Sequence, residues 1–135
     1  MIPKFRAWIK TEKRMIETDD LLDIDYENEV VMTQRVYFEN GLPDDRDLDN
    51  FVFDEIKLMQ STGLKDKNGQ EIFEGDILGT KDGLLNGVVE YRTDLGMWTN
   101  SLIRYNNFER LCNVANSREI IGNIYENPDL LEGKE

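Results

Sequence analysis

Histidine is absent from this chain. That removes the Ser-His-Asp and Cys-His nucleophile systems, His-ligated zinc and the usual neutral-pH acid–base side chain. An enzyme built on this sequence would have to work with carboxylates, Lys, Tyr or backbone groups. Cysteine occurs once, at Cys112, so neither an intrachain disulfide nor a cysteine-based metal site can form. Proline is limited to Pro3, Pro43 and Pro128, each beside an expected boundary. No run of about 18 apolar residues is present, so no spanning helix is expected. Lys4 and Arg6 lie beside Pro3 and Trp8 with no hydrophobic stretch following, which reads as a mature N-terminus rather than a signal peptide. Repeats at solenoid spacing and low-complexity tracts are also missing. These absences together lead us to expect a soluble intracellular protein with no membrane partner.

What is present is acid. The chain has 135 residues, 33% of them charged and 39% hydrophobic, with a net charge of −12. That length suits one domain, or one domain with an elaborated arm, and is enough to bury a core. The charge is uneven: residues 1–16 carry +4, residues 17–57 carry −11 and residues 58–135 carry −5. Phosphate neutralisation supplies most nucleic-acid affinity, so a nucleic-acid partner is disfavoured unless the few cations gather on one face. The asymmetry also marks 17–57 as a distinct structural piece.

Alternation of Phe5, Ala7 and Ile9 with Arg6 and Trp8, then Thr11-Glu12-Lys13 and Met15-Ile16, predicts a hairpin over 4–17. Residues 18–29 read as an acidic loop or short helix. Val30 to Phe38, rich in β-branched and aromatic residues, predicts a strand, and Asn40-Gly41-Leu42-Pro43 a break. Leu48, Val52 and Ile56 recur every four residues, which favours a short helix or irregular segment over 45–57. Beyond Lys57 five or six short strands are expected, with Asn68-Gly69 as a type I′ hairpin turn. The strands include Gly87–Arg92, Met97–Ile103 and Arg118–Tyr125. Asn127 and Pro128 open a terminal helical turn that Gly133 stops, its leucines plugging the domain.

Several clusters invite chemistry. Asp45-Arg46-Asp47-Leu48-Asp49-Asn50 begins like an EF-hand loop, but the sixth position is Asn50 and the twelfth Ile56 rather than Gly and Glu. A solvated acidic turn is the favoured reading. Glu71, Glu74 and Asp76 could hold magnesium or act as acid and base; a turn in which Asp76 bonds backbone N–H groups fits them better. Gly63, Gly69, Gly75, Gly79, Gly83 and Gly87 lack phosphate-loop spacing and read as turns and bulges. Lys65, Lys67, Lys81, Arg92 and Arg104, with Tyr91, Trp98, Tyr105 and Tyr125, offer the cations and rings with which small barrels bind nucleic acid or peptides. Core or half-core packing is the favoured reading of the rings. The acidic run is read first as a solvated face, with a DNA-like surface for a host protein's basic groove as the alternative.

Three blocks carry a resemblance: Phe5-Arg6-Ala7-Trp8; Leu58 through Ile77, with Thr62-Gly63-Leu64-Lys65-Asp66-Lys67-Asn68-Gly69 and Glu74-Gly75-Asp76-Ile77; and Ile121-Gly122-Asn123-Ile124-Tyr125-Glu126-Asn127-Pro128 with Leu130-Leu131. In these blocks the chain resembles the YopX family of phage and prophage proteins. The resemblance implies a mainly β protein with a barrel-like part in a bacterial host, and it supplies no catalytic residues. The expected fold is α+β and mainly β. A hairpin and acidic arm over 1–56 precede a small SH3-like or half-open β-barrel over 57–135, which ends in a short helix. The expected function is a non-enzymatic phage accessory protein that binds a partner protein in the bacterial cytoplasm. Lys65, Lys67, Tyr91, Trp98 and Tyr105 form the candidate partner surface, and no catalytic, cofactor or metal residue is assigned. A nucleic-acid-associated barrel module is the first alternative and a carboxylate-based, metal-dependent enzyme the second. Exposed strand edges near the N-terminal arm also make a homo-oligomer plausible.

Overall fold

A computed structural model describes residues 3–132, which divide into two compact units, Lys4–Met59 and the remainder from Gln60 onward. The expectation placed on Gly133 lies outside the described residues.

In the first unit β1 (Phe5–Ile9) and β2 (Arg14–Ile16) form the expected hairpin, with Ala7 opposite Ile16. A 3-10 turn over Thr18–Asp20 leads to β3 (Leu21–Asp25), so the acidic stretch is neither wholly loop nor helix. β3 begins a three-stranded antiparallel meander with β4 (Val30–Glu39) and β5 (Leu42–Val52). The core joins Ala7, Ile9, Ile16, Val31, Phe51 and Ile56.

β5 corrects two expectations. Residues 45–52 belong to the eleven-residue strand β5 and a 3-10 turn follows at Phe53–Glu55, so the segment is neither a helix nor an acidic turn. A spacing of four is two full strand repeats as well as about one helical turn, so Leu48 and Val52 share a strand face. Asn40-Gly41 is no mere break either: both residues have positive φ, +55° and +79°, and they close β4 onto β5 as a two-residue hairpin turn.

In the second unit β6 (Ile56–Lys65), which starts in the first, pairs by its later residues with β7 (Glu71–Phe73). β8 (Asp76–Gly79), β9 (Gly87–Arg92), β10 (Met97–Leu102), β11 (Phe108–Arg110) and β12 (Glu119–Asn123) make a five-stranded sheet in the order β11-β10-β9-β8-β12. It curls into a half-barrel. The mainly β expectation holds, with seven strands from Ile56 onward among the described residues. A single turn of helix, α1 (Leu111–Val114), follows β11 and buries Leu111 against Ile72, Leu78, Val89 and Ala115. The closing turn, Pro128–Glu132, is 3-10 and buries no residue: Leu131 is exposed, so the leucines are not a plug. Asn127 does not cap it by side chain either, since its Oδ1 accepts from Asn123 N at 3.1 Å.

Asn68-Gly69 is a different turn from the one expected. Only Gly69 has positive φ, and the loop over 66–70 is organised by one carboxylate instead. Asp66 is 4% exposed. Its Oδ1 accepts from Asn68 N and Gln70 N, each at 2.9 Å, and its Oδ2 from Ile120 N at 3.0 Å on β12. Burial opposes its ionisation, but these three donors outweigh burial and hold the carboxyl below its ordinary value. A group depressed in this way stabilises the fold above its unfolded pKa, and loses that contribution as pH falls through the folded value. Asp66→Asn turns an amide NH2 toward at least one N–H donor. It should cost about 2–4 kcal/mol at pH 7, measured by urea unfolding. The difference from the parent should shrink as pH falls below about 4, the ordinary Asp range; a pH-independent difference would contradict this account of Asp66.

Candidate functional site

The rings and cations picked from the sequence separate into three places. Tyr91 on β9 and Trp98 on β10 are direct cross-strand partners. Their rings meet edge to face at 5.2 Å, a geometry that aromatic quadrupoles favour. Trp98 packs on the core cluster, while Tyr91 stays exposed. The half-core reading therefore fits Trp98 and not Tyr91. Tyr105, also exposed, lies between β10 and β11. It lines an open cleft of about 300 Å³ with Arg92, Ser101 and Phe108 among its walls.

Arg92 is already engaged in that cleft. Its guanidinium sits 4.8 Å over the Phe108 ring and holds Asp94 through bonds of 2.7 and 3.1 Å. The paired hydrogen bonds raise the Arg92 pKa and lower that of Asp94. Lys65 closes β6 opposite Glu71, and Lys67 lies 3.6 Å from Glu119. β6 belongs to a different sheet from β9 and β10. Lys81 and Arg104 sit in the loops after β8 and β10. The structure thus joins Tyr91 to Trp98 and Arg92 to Tyr105, and leaves Lys65 and Lys67 on another element.

Two of the carboxylates around the second turn accept from backbone amides and the third from a hydroxyl. Asp76 Oδ2 accepts from Phe73 N at 2.8 Å, Glu74 Oε1 from Gln60 N at 3.4 Å, and Glu71 Oε2 from the Ser61 hydroxyl. Asp76 bonding a nearby N–H group is as the sequence suggested. The EF-like run lies on β5, where the extended backbone spaces Asp45, Asp47 and Asp49 in a line along one face, so the acids do not curl around one ion as a loop does.

One surface was missed. Beyond Thr33 and Asp49, β4 and β5 continue as a two-stranded ribbon whose residues are mostly exposed. Cross-strand register assigns its faces. Arg35, Tyr37, Asp45, Asp47 and Asp49 continue the face that buries Val31 and Phe51, and Tyr37 donates to Asp47 Oδ2 at 2.8 Å. Met32, Val36, Phe38, Pro43, Leu48 and Val52 share the other face. Phe38 is 66% exposed and Leu48 52%. The signal was present in the i, i+2 spacing of Val36 with Phe38 and of Asp45, Asp47 and Asp49.

Small mainly β proteins with a curled sheet and a long, exposed hairpin form the class this arrangement defines. The model of the YopX protein family matches residues 4–132, and the chain belongs to that family. Protein EF1440 from Enterococcus faecalis has a crystal structure that is 32% identical, with a TM-score of 0.63 over 98% of this chain and 99% of that one. YopX from Bacillus subtilis is 22% identical, with a TM-score of 0.58 over 96% and 98%, and shares the fold. No functionally curated protein matches. Among the described residues no helix is long and apolar enough to cross a membrane.

The two aromatic placements differ in what they do for the fold. Tyr105→Ala should leave stability within about 0.5 kcal/mol, whereas Trp98→Ala should cost about 3–5 kcal/mol. Chemical denaturation of both variants checks this, and equal costs would place Tyr105 in the core rather than on a binding surface.

Proposed function

We propose that this chain is a non-enzymatic phage or prophage accessory protein that binds a partner protein in the bacterial cytoplasm. The observation that supports this most is the ribbon of β4 and β5, where Phe38, Leu42, Leu48 and Val52 are exposed among the described residues. Leaving such side chains in water forgoes about 1.5–3 kcal/mol each relative to burying them, and contiguous patches of this kind mark interaction sites. The net charge of −12 points to a protein rather than a nucleic acid. Tyr91, Tyr105 and the Arg92 cleft supply a second, smaller surface of the kind that small barrels use.

A nucleic-acid-associated module is the second reading. It draws on Lys67, Lys81 and Arg104: register puts the end of β8, the start of β9, the end of β10 and the start of β12 at one end of the sheet, and these cations lie in or beside its loops. Lys67 already faces Glu119, and Arg92 faces Asp94 at the far end of β9, which weakens that reading.

Affinity capture of the tagged chain from a lysogenic host, with and without nuclease, separates the two. The expected outcome is a nuclease-resistant protein that rebinds the purified chain in a one-to-one titration. Retention of nucleic acid alone, or of no macromolecule, would overturn the proposal.

A further inference from the structure

The apolar face of the ribbon raises the question of its occupant. Resting on the partner-binding reading above, we infer that this face seats in an apolar groove with a cationic rim on a foreign protein, rather than on a second copy of this chain.

Charge decides between those occupants. Residues 34–50 carry two cations, Arg35 and Arg46, against five carboxylates, Glu39, Asp44, Asp45, Asp47 and Asp49, for a net −3. Asp45, Asp47 and Asp49 stand in register on the face opposite the apolar stripe. Each copy of the chain also carries a net charge of −12, so two copies approaching through this ribbon repel one another at long range. A cationic rim flanking the ribbon is drawn to that net negative charge, which speeds encounter.

The edge of β5 argues the same way. It is the terminal strand of its sheet, and an eleven-residue edge is a template for strand addition. This edge carries Pro43, which has no N–H to donate. The register shifts between Tyr37 and Phe38, leaving Asp44 as the extra residue opposite them, and bulges of this kind disrupt pairing. Asp45 Oδ1 takes the N–H of Arg46 at 2.8 Å. Proline, a bulge, a side-chain-capped N–H and acid are the devices by which natural sheets refuse edge pairing, so contact falls to the face. On that face Arg46 reaches Gln34 Oε1 at 3.0 Å and is occupied within the ribbon, which leaves the apolar stripe of Val36, Phe38, Leu48 and Val52 to fill a groove.

The probe is a fluorescein-labelled dodecapeptide alternating Lys with Val and Phe, a cationic strand with one apolar face. Controls replace its Lys with Glu, or its apolar residues with Ser. Anisotropy titrations should show the Lys–Val/Phe peptide binding the wild-type chain at least tenfold more tightly than either control. The charge-preserving variant Phe38→Ser/Leu48→Ser should lose at least tenfold. Asp45→Asn/Asp47→Asn/Asp49→Asn should lose affinity and flatten its salt dependence, and Tyr105→Ser should change nothing. Circular dichroism and urea midpoints confirm that each variant is folded. Equal binding to Phe38→Ser/Leu48→Ser would mean charge attraction alone and would overturn the inference. So would no binding to wild type, or a loss confined to Tyr105→Ser. Sedimentation that shows a wild-type dimer abolished by Phe38→Ser/Leu48→Ser would assign the face to a second copy, against the inference. The partner-binding reading falls separately: a captured protein that binds wild type and Phe38→Ser/Leu48→Ser alike leaves that reading standing while the ribbon is lost as its site.

Discussion

A single carboxylate closes the second unit of this protein. Asp66 opens the loop between β6 and β7 and collects three backbone amides, two from its own loop and one from β12, 54 residues away. Around it the main chain adds further ties: Asp66 N donates to Gln70 O and Lys67 N to Arg118 O, both at 2.9 Å. Buried amides without acceptors are expensive. The loop between β6 and β7 can therefore keep this form only with β12 beside it, and β12 in turn pairs β8. A local turn and a long-range strand docking thus become one event. Apolar burial alone, which is non-directional, would not fix that register.

The core of the same unit is small, and a polar chain runs beside it. Arg118 grips Glu109 with bonds of 2.6 and 2.7 Å, and Asn100 donates to the same carboxylate at 3.0 Å. The Arg118 hydrogen bonds hold the Glu109 carboxyl below its ordinary value despite burial. Asn100 is wholly buried, and Gly87 diagonally across on β9 leaves it room: a Cβ there would stand 2.4 Å from Asn100 Oδ1. A buried ion pair adds little net stability over a well-packed apolar substitute, but losing one partner is costly. Its effect here is to join β10, β11 and the approach to β12 through side chains. Gly122 has the same role at the other end of β12, where the Asn127 amide occupies the space of a side chain. The Gly122-to-Pro128 block that carried the family resemblance is thus a hydrogen-bonded knot: Asn123 Oδ1 accepts from Tyr125 N and Glu126 N, and Asn123 Nδ2 donates to Glu126.

Much of this was legible in the sequence, and the failures share a physical cause. The first hairpin showed in the alternation of Phe5, Ala7 and Ile9, and β4, β9 and β10 showed as runs of β-branched and aromatic residues between turn signals. β5 did not, because both its faces are wet over most of its length. Without an inside, period two leaves no hydrophobic trace, and the spacing of four from Leu48 to Val52 mimicked a helix. The acids at 45, 47 and 49 spaced themselves as strand neighbours and imitated calcium ligands. The two Asn-Gly turns were confused because dipeptide chemistry permits a type I′ turn without demanding one; a carboxylate two residues earlier, Asp66, redirected the second. As for the candidate surface, composition pointed to rings and cations but not to their neighbours. It could not show that Arg92 is spent on Asp94 and Phe108, or that Lys67 is met by Glu119.

The ribbon follows from the same economy of burial. Ala7, Ile9, Ile16 and Ile56 gather around Val31 and Phe51, with Leu21, Ile24, Phe53 and Leu58 against them, whereas Phe38 and Leu48 are exposed on a hairpin that extends past that core. Shortening β4 and β5 at Thr33 and Asp49 would keep every core contact of the meander and remove the exposed patch. Folding of this unit therefore does not require the ribbon. The extension carries aggregation risk through an apolar face and a long edge, and it carries protection against that risk in Pro43, the bulge at Asp44 and the row of acids. A feature dispensable to the core, guarded against its own copies and still apolar on one side has the properties of a surface kept for something else to cover.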